Sequence, residues 1–280
     1  MWKSWSTGVD YVTATANWKS GGAKTLTEFG IERIREQKLA GYEVKPRKWK
    51  SYIGRGTEGV TMMSDENYVM LQLSGSNAHR WALMLREERQ NFNVKRIDFQ
   101  HTAHNPGEPL GWEYRLYQRW LDIHISKGVE KLPLHNFDWH GRRGATFYCG
   151  SRHSDIYGRF YDKTAEQRHM VEPGLHRAEV ETHDDKAALL WETLCNASSV
   201  QELSHTIVRS FCKDRKIPHD WLGGESYMRM PTNYEPTDDE RRLNWLRSHV
   251  SKTASKLVSS QGRESVLKAL RLETDENDQK

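Results

Sequence analysis

The chain has 280 residues, 36% hydrophobic, 10% aromatic and 29% charged, with 42 Lys and Arg against 38 Asp and Glu. Its Trp, Tyr and Leu content is enough for a buried core, which excludes global disorder, and the length predicts one large domain or a main domain with a smaller one. A net charge of +4 is too mild to establish a nucleic-acid partner, because affinity for phosphate depends on where the cations lie.

No stretch approaches the roughly 18 uncharged apolar residues of a membrane span, and the N-terminus MWKSWSTGVD lacks the apolar segment of a signal peptide. The reading is a soluble, cytoplasmic protein with no membrane partner. Cys149, Cys195 and Cys212 are scattered and never spaced as CxxC, which argues against a disulfide framework and against a zinc knuckle.

Val9 to Ala16 reads as a first strand, and Thr25 with Glu28 forms a capping box opening a helix that closes at Gly41. Segments around Trp49 to Ile53, Val60 to Met63 and Tyr68 to Leu73, separated by glycines and by the polar run Ser64 to Asn67, predict an antiparallel meander. Ser76 to Gln90 is helical. Phe92 to Gln100 alternates, placing Val94, Arg96, Asp98 and Gln100 on one face and Ile97 and Phe99 on the other. Glu113 to Ser126 has helical spacing with Gly128 at its stop, and a polar, histidine-rich connection follows.

Ala145 to Cys149, Tyr157 to Lys163 and Leu175 to Thr182 are three further strands, and helices take over from about Asp184. Pro231 to Pro236 marks a second joint, before a capping box at Thr237 and Glu240. The predicted class is α+β, an antiparallel sheet with packed helices, divided into residues 1–198 and a helical C-terminal region, 199–280.

The densest basic and aromatic segment runs from Gly141 to Lys163, where Arg142, Arg143, Arg152, Arg159 and Lys163 interleave with Phe147, Tyr148, Tyr157 and Tyr161. Arginine forks grip phosphate oxygens and aromatic faces stack on unpaired bases, so this hairpin suits single-stranded DNA. An ordinary solvated hairpin has the same composition. Alternation places Arg159, Tyr161 and Lys163 on one face, where two cations would stabilise a phenolate and make it a better nucleophile toward a phosphodiester. Tyrosines flanked by arginine are also commonly structural.

Asp98, beside Arg96, and Glu179 and Glu181, beside Arg177, project from two other predicted strands. Three carboxylates from adjacent strands suit one hard divalent cation acting as a Lewis acid on a phosphate. The alternative is ion pairing on an exposed sheet face. The two histidines flanking one hydrophobic residue that an ordinary HUH nicking enzyme needs are absent. His101 and His104, and His135 and His140, have neither that spacing nor the H-E-x-x-H spacing, and read as surface residues or residues behind a site. A G-x-x-x-x-G-K-[ST] loop is also missing, which removes an ATP-driven helicase.

The succession Arg96-Ile97-Asp98-Phe99-Gln100, then Tyr148-Cys149-Gly150-Ser151-Arg152-His153-Ser154, Arg159-Phe160-Tyr161-Asp162-Lys163 and Arg177-Ala178-Glu179-Val180-Glu181, resembles the replication initiation factor family. The upstream run Met70-Leu71-Gln72-Leu73-Ser74-Gly75 looks like a sheet segment of that family, which comprises rolling-circle initiators of plasmids and filamentous phages and relaxases of some integrative elements. The resemblance covers Val9 to Thr182 and fades beyond Asp184.

It implies a degenerate HUH-like sheet on which acidic residues replace the histidine pair, and a site-specific DNA nicking and joining activity. Tyr161 matches the nucleophile. Asp98 and Glu179, with Glu181 as a further candidate, match positions that hold Mg2+ or Mn2+. Ser151 and Arg152 match the block that grips the DNA backbone, with Arg142, Arg143, Arg96 and Arg177 as further DNA contacts, and Arg159 and Lys163 steady the phosphate. Phe160 stands where an aliphatic residue is more usual, and Asp162 points to the opposite face.

The implied substrate is single-stranded or extruded hairpin origin DNA, and the implied product is a 5′-phosphotyrosine with a free 3′-OH that primes a host polymerase, aided by a host helicase. The C-terminal helices would recognise origin duplex, form a homodimer surface, or simply pack as an amphipathic bundle with a solvated basic face. A relaxase and a non-catalytic DNA-binding regulator are the alternative readings.

Overall fold

The structure, a computed structural model, describes residues 2–36, 51–55, 59–75, 77–88, 92–107, 111–129, 131–141, 144–167, 171–230, 251–263 and 265. The β-branched and aromatic run at the N-terminus forms a strand longer than expected, β1 (Lys3–Asn17), as such residues favour a half-buried pleated surface. Then come β2 (Ser51–Arg55), β3 (Val60–Ser64), β4 (Tyr68–Ser74), β5 (Asn93–His104), β6 (His135–Trp139), β7 (Ala145–Cys149), β8 (Ile156–Asp162) and β9 (Leu175–His183). Among the described residues they form one sheet in the order β2-β3-β4-β1-β5-β9-β8-β7-β6. Every pairing is antiparallel, and the meander of β2, β3 and β4 is as the sequence predicts.

Helices α1 (Gly21–Glu36), α2 (Ala78–Leu85), α3 (Trp112–Ser126), α5 (Asp184–Asn196) and α6 (Val200–Asp214) pack against the sheet, and the single turn α4 (Lys163–Glu166) follows β8 directly. One continuous hydrophobic cluster joins Leu26, Trp81, Leu116, Leu190 and Phe211 of these helices to Val12, Ile97, Phe160 and Val180 of the strands. The helices thus cover one face of the sheet and leave the other to polar side chains. No described helix is long and apolar enough to cross a membrane.

Four local expectations change. Thr25 is inside α1, its hydroxyl donating to the Gly21 carbonyl, because the turn at Asn17, whose carbonyl accepts from the Ser20 amide at 2.8 Å, starts the helix earlier. The histidine-rich connection contains the edge strand β6, too short and polar to show an alternating pattern. Val94 belongs to the core with Ile97: Ala14 pairs with Val94 and Thr13 with Arg96, so Lys95 is an extra residue and the bulge reverses the phase of the alternation. Finally, the compact unit runs from Met1 to Pro231 rather than ending at residue 198, because α6 packs on β1 and β5. Its N-terminus is capped by Ser199, which accepts from the Glu202 amide at 3.2 Å, and a β-carbon at Gly158 of β8 would collide with its Phe211 ring. The second unit, Thr232–Lys280, contains helix α7 (Ser251–Gln261); Gly41, Trp49 and the capping box at Thr237 lie outside the described residues.

His101 of β5 is 1% exposed, shares a 2.9 Å hydrogen bond with the Thr7 hydroxyl and faces the His205 ring at 5.0 Å. Burial, helped by His205, pushes it down to about 4. The unfolded chain, with an imidazole near 6.5, takes up this proton first as the pH falls. Stability from this residue is therefore fully present above about pH 6.5 and is lost toward pH 4, by an upper bound of about 3 kcal/mol. Denaturant unfolding at pH 7 and 4.5 is expected to show the wild type losing roughly 2 to 3 kcal/mol more than His101→Asn; equal losses would remove His101 as the cause.

Candidate active site

Directly paired residues of neighbouring strands present their side chains on the same face, so the sheet register arranges the polar face in rows. Asp98 of β5 pairs with Glu181 of β9, which pairs with Tyr157 of β8; Gln100 pairs with Glu179 and Glu179 with Arg159; Thr102 pairs with Arg177 and Arg177 with Tyr161. The residues expected from three of the four sequence blocks thus meet on three adjacent strands, while the block from Tyr148 to Ser154 lies at the end of β7 and in the turn that follows it.

The Tyr161 hydroxyl donates to Glu179 Oε1 and Arg159 Nη2 donates to Glu179 Oε2. Arg177 completes the group: its Nε donates to the Thr102 hydroxyl at 2.8 Å, and its Nη1 reaches Asp10 at 3.0 Å and Glu179 at 3.6 Å. Glu179 is buried. Burial opposes its ionisation, but Arg159 and Arg177 outweigh that effect and hold its carboxyl below the usual range. A cleft of about 550 Å³ opens over this group, walled by Asp10, His140, Thr146, Tyr148, Arg159, Tyr161, Lys163 and Glu166 together with Glu179.

The phenol is not in the state predicted from flanking cations. Burial, and then the Glu179 charge, push Tyr161 well above an ordinary phenol, against the opposing pull of Arg177. The Arg159 charge is directed to Glu179, and Lys163, the first residue of α4, pairs with Glu166 at 2.8 Å while its Nζ lies 5.6 Å from the centre of the Tyr161 ring. Tyr161 is therefore a neutral hydrogen-bond donor to an ionised carboxylate. Asp162 turns away and caps α4, accepting from the Ala165 amide at 2.9 Å.

The other acids form a separate set. Arg96 forks onto both oxygens of Asp98, at 2.9 and 2.6 Å, and also reaches Glu181 at 2.8 Å. Glu181 further accepts from the Tyr157 hydroxyl at 2.6 Å and lies 2.8 Å from His183 Nε2. Burial pushes Asp98 up to about 7 against the pull of Arg96, since that guanidinium is shared with Glu181. Asp98, Glu179 and Glu181 share a face, as expected, but every carboxylate oxygen among them already has a protein partner. Among the described residues no group of three or more His, Cys, Asp or Glu side chains is disposed to hold an ion. In this arrangement the three acids do not fit one Mg2+ or Mn2+ ion, since Arg96 and Arg159 would have to release them first.

The expected DNA contacts are distributed differently. Arg96 and Arg177 are committed to carboxylates inside the face. Ser151 shapes the turn between β7 and β8, its hydroxyl accepting from the His153 amide at 3.1 Å. Arg152 is exposed and lies over the ring of the cleft residue Tyr148, 4.8 Å from its centre. Arg142 and Arg143 lie outside the described residues.

Asp10 is the residue that sequence reasoning missed. Val9 pairs with Phe99 and Tyr11 with Asp98, so Asp10 is the extra residue of a bulge that turns its carboxylate toward Arg177. Burial, followed by the Glu179 charge, raises its carboxyl despite Arg177. The sequence signal, the single acid of a strand whose only other charge is Lys3, is weak.

A family model described as "Replication initiation factor" matches residues 124–270. This range includes Arg159, Tyr161, Lys163, Glu179 and Glu181 but neither Asp98 nor Asp10, and it continues well past Asp184, where the motif resemblance fades. Among solved structures, a rolling circle replication initiator protein from Geobacillus stearothermophilus is similar in fold, with a TM-score of 0.52 and 16% identity, over 87% of this chain and 96% of that one. No curated protein matches the chain.

Proposed function

The chain belongs to the replication initiation factor family, and from that premise we propose that it initiates rolling-circle replication by nicking one DNA strand at an origin with Tyr161 as nucleophile. One observation carries this reading: the Tyr161 hydroxyl, in the wall of a cleft also lined by Arg159 and Lys163, donates its hydrogen bond to the ionised carboxylate of Glu179. A nucleophile hydrogen-bonded to a base that other groups orient is the arrangement covalent catalysis requires.

In the proposed step a phosphodiester of single-stranded or extruded hairpin origin DNA enters the cleft. Arg159 and Lys163 take its non-bridging oxygens, which offsets the charge that develops there. Transfer of Arg159 from Glu179 to the phosphate strips the carboxylate of its strongest counter-charge and raises its proton affinity as the phenol must lose its proton. The phenol proton passes to Glu179 as Tyr161 Oη attacks phosphorus in line, and the bond to O3′ breaks with the departing oxygen taking a proton from water, leaving a 5′-phosphotyrosine and a free 3′-OH. One phosphodiester replaces another, so the reversed step rejoins the strand without ATP.

A divalent ion such as Mg2+ or Mn2+ would supply a Lewis acid, but Asp98, Glu179 and Glu181 in their paired state do not fit one, and no step above runs through it. The 3′-OH would prime a host polymerase in the cytoplasm, with strand separation by a host helicase, since the chain has no nucleotide-binding phosphate loop. The same chemistry at a transfer origin would make the protein a relaxase.

The polarity of joining tests the reading. With an origin oligonucleotide labelled at its 3′ end, label is expected to stay with the protein through a denaturing gel; with 5′-labelled DNA it is expected to leave on a shorter strand ending in 3′-OH. Binding with no adduct from either substrate would identify a non-catalytic DNA-binding regulator instead.

A further inference from the structure

We propose that Trp5 and His104 form a subsite for an unpaired base of the DNA strand, on the sheet face that carries Tyr161. The proposal rests on the nicking reading above and specifies where that strand runs. Trp5 is the extra residue of another bulge in β1: Ser4 pairs with Ala103 and Ser6 with Thr102. A bulge re-aims a side chain. Here it directs the indole onto the His104 ring, with centroids 5.2 Å apart and planes inclined by 58°. His104 is itself fixed by a 3.0 Å hydrogen bond between its Nε2 and the Pro173 carbonyl. Trp5 remains 55% exposed, unlike Trp2, which packs among Trp112, His176 and Trp221.

A tryptophan braced from one side and open on the other is a stacking surface that accepts any base, because every base has a π-face. Its position follows from the register. Ser6 pairs with Thr102, Thr102 with Arg177 and Arg177 with Tyr161, so three strand spacings, about 14 Å, separate Ser6, the neighbour of Trp5, from Tyr161 across one face. A strand held in the cleft and drawn across Arg177 and Thr102 reaches Trp5 within a few nucleotides. Lys3, exposed and paired with His104, lies next to that platform as a cation for the backbone. Such a site fixes the register of the strand relative to Tyr161 without reading its sequence.

The test uses the full chain and fluorescein-labelled deoxythymidine oligomers, with affinity read by anisotropy. Trp5→Ala is expected to weaken binding roughly 5- to 150-fold, and Trp5→Phe, which keeps an aromatic face, much less. In oligonucleotides that the wild type joins, with one base removed at successive positions, the wild type is expected to lose affinity at a position a few nucleotides from the attacked phosphate, and Trp5→Ala to be indifferent to base removal there. In parallel, the wild type is incubated with single-stranded oligonucleotides tiled across the DNA flanking its own gene and scored for covalent joining. If the wild type binds and joins DNA but Trp5→Ala binds equally well, or keeps the wild-type profile of base removal, the subsite is overturned and the nicking reading stands. If the wild type neither binds nor joins single strands, the nicking reading falls and the subsite with it.

Discussion

Tyr161→Phe is expected to lower covalent joining by at least about 10⁴-fold while DNA affinity stays within a few-fold of wild type. Only the hydroxyl is removed, and the ring still walls the cleft. The loss of the hydrogen bond to Glu179 should cost about 1 to 3 kcal/mol of stability, since Arg159 still satisfies one carboxylate oxygen and Arg177 lies 3.6 Å from the other. Plasmid nicking together with a binding titration measures both. Two other phenols are near enough to be rivals. Tyr157 donates to Glu181 at 2.6 Å and is not part of the cleft wall, whereas Tyr148 is part of that wall and lies beneath Arg152. Nicking by Tyr161→Phe at the wild-type rate would point to Tyr148 first.

Substitution of Glu179 should show structural and chemical roles in one side chain. Glu179→Ala leaves Arg159 and Arg177 without their common counter-charge in a buried place, which is expected to cost about 3 to 5 kcal/mol, or roughly 6 to 20 °C in melting temperature for a unit of this size. Glu179→Gln keeps the shape and one acceptor oxygen but cannot take the phenol proton. It should fold, melt above Glu179→Ala, and join DNA roughly 10²- to 10⁴-fold more slowly than wild type. Thermal melts of both variants, with single-turnover joining by Glu179→Gln, separate these effects. Joining by Glu179→Gln at the wild-type rate would remove Glu179 as the proton acceptor.

Strand alternation made Arg159 with Tyr161, and Arg177 with Glu179 and Glu181, legible in the sequence, because side-chain direction in a regular strand depends on position alone. What alternation lacks is the partner. Arg159 was expected to act on the phenol and is bound to Glu179 instead, since the register of β8 against β9 sets that pairing. Bulges are harder still to read: each is defined by one residue too many relative to the opposite strand. Three occur between β1 and β5, and they account for the misplaced Val94 and for the overlooked Asp10 and Trp5.

The change from strands to helices near Asp184 was visible in composition, yet it is not where the compact unit ends. The apolar face of α6 is buried largely against β1 and β5, which lie far earlier in the chain. Periodicity shows that a helix has such a face and leaves open what covers it.

The most direct measurement is proteolysis and mass spectrometry of the protein cross-linked by its own reaction to an origin oligonucleotide. A single peptide containing Tyr161, with the DNA linked through its 5′ phosphate, is the predicted result. Linkage at any other residue, or through a 3′ phosphate, would contradict the assignment of the nucleophile and of the step it performs.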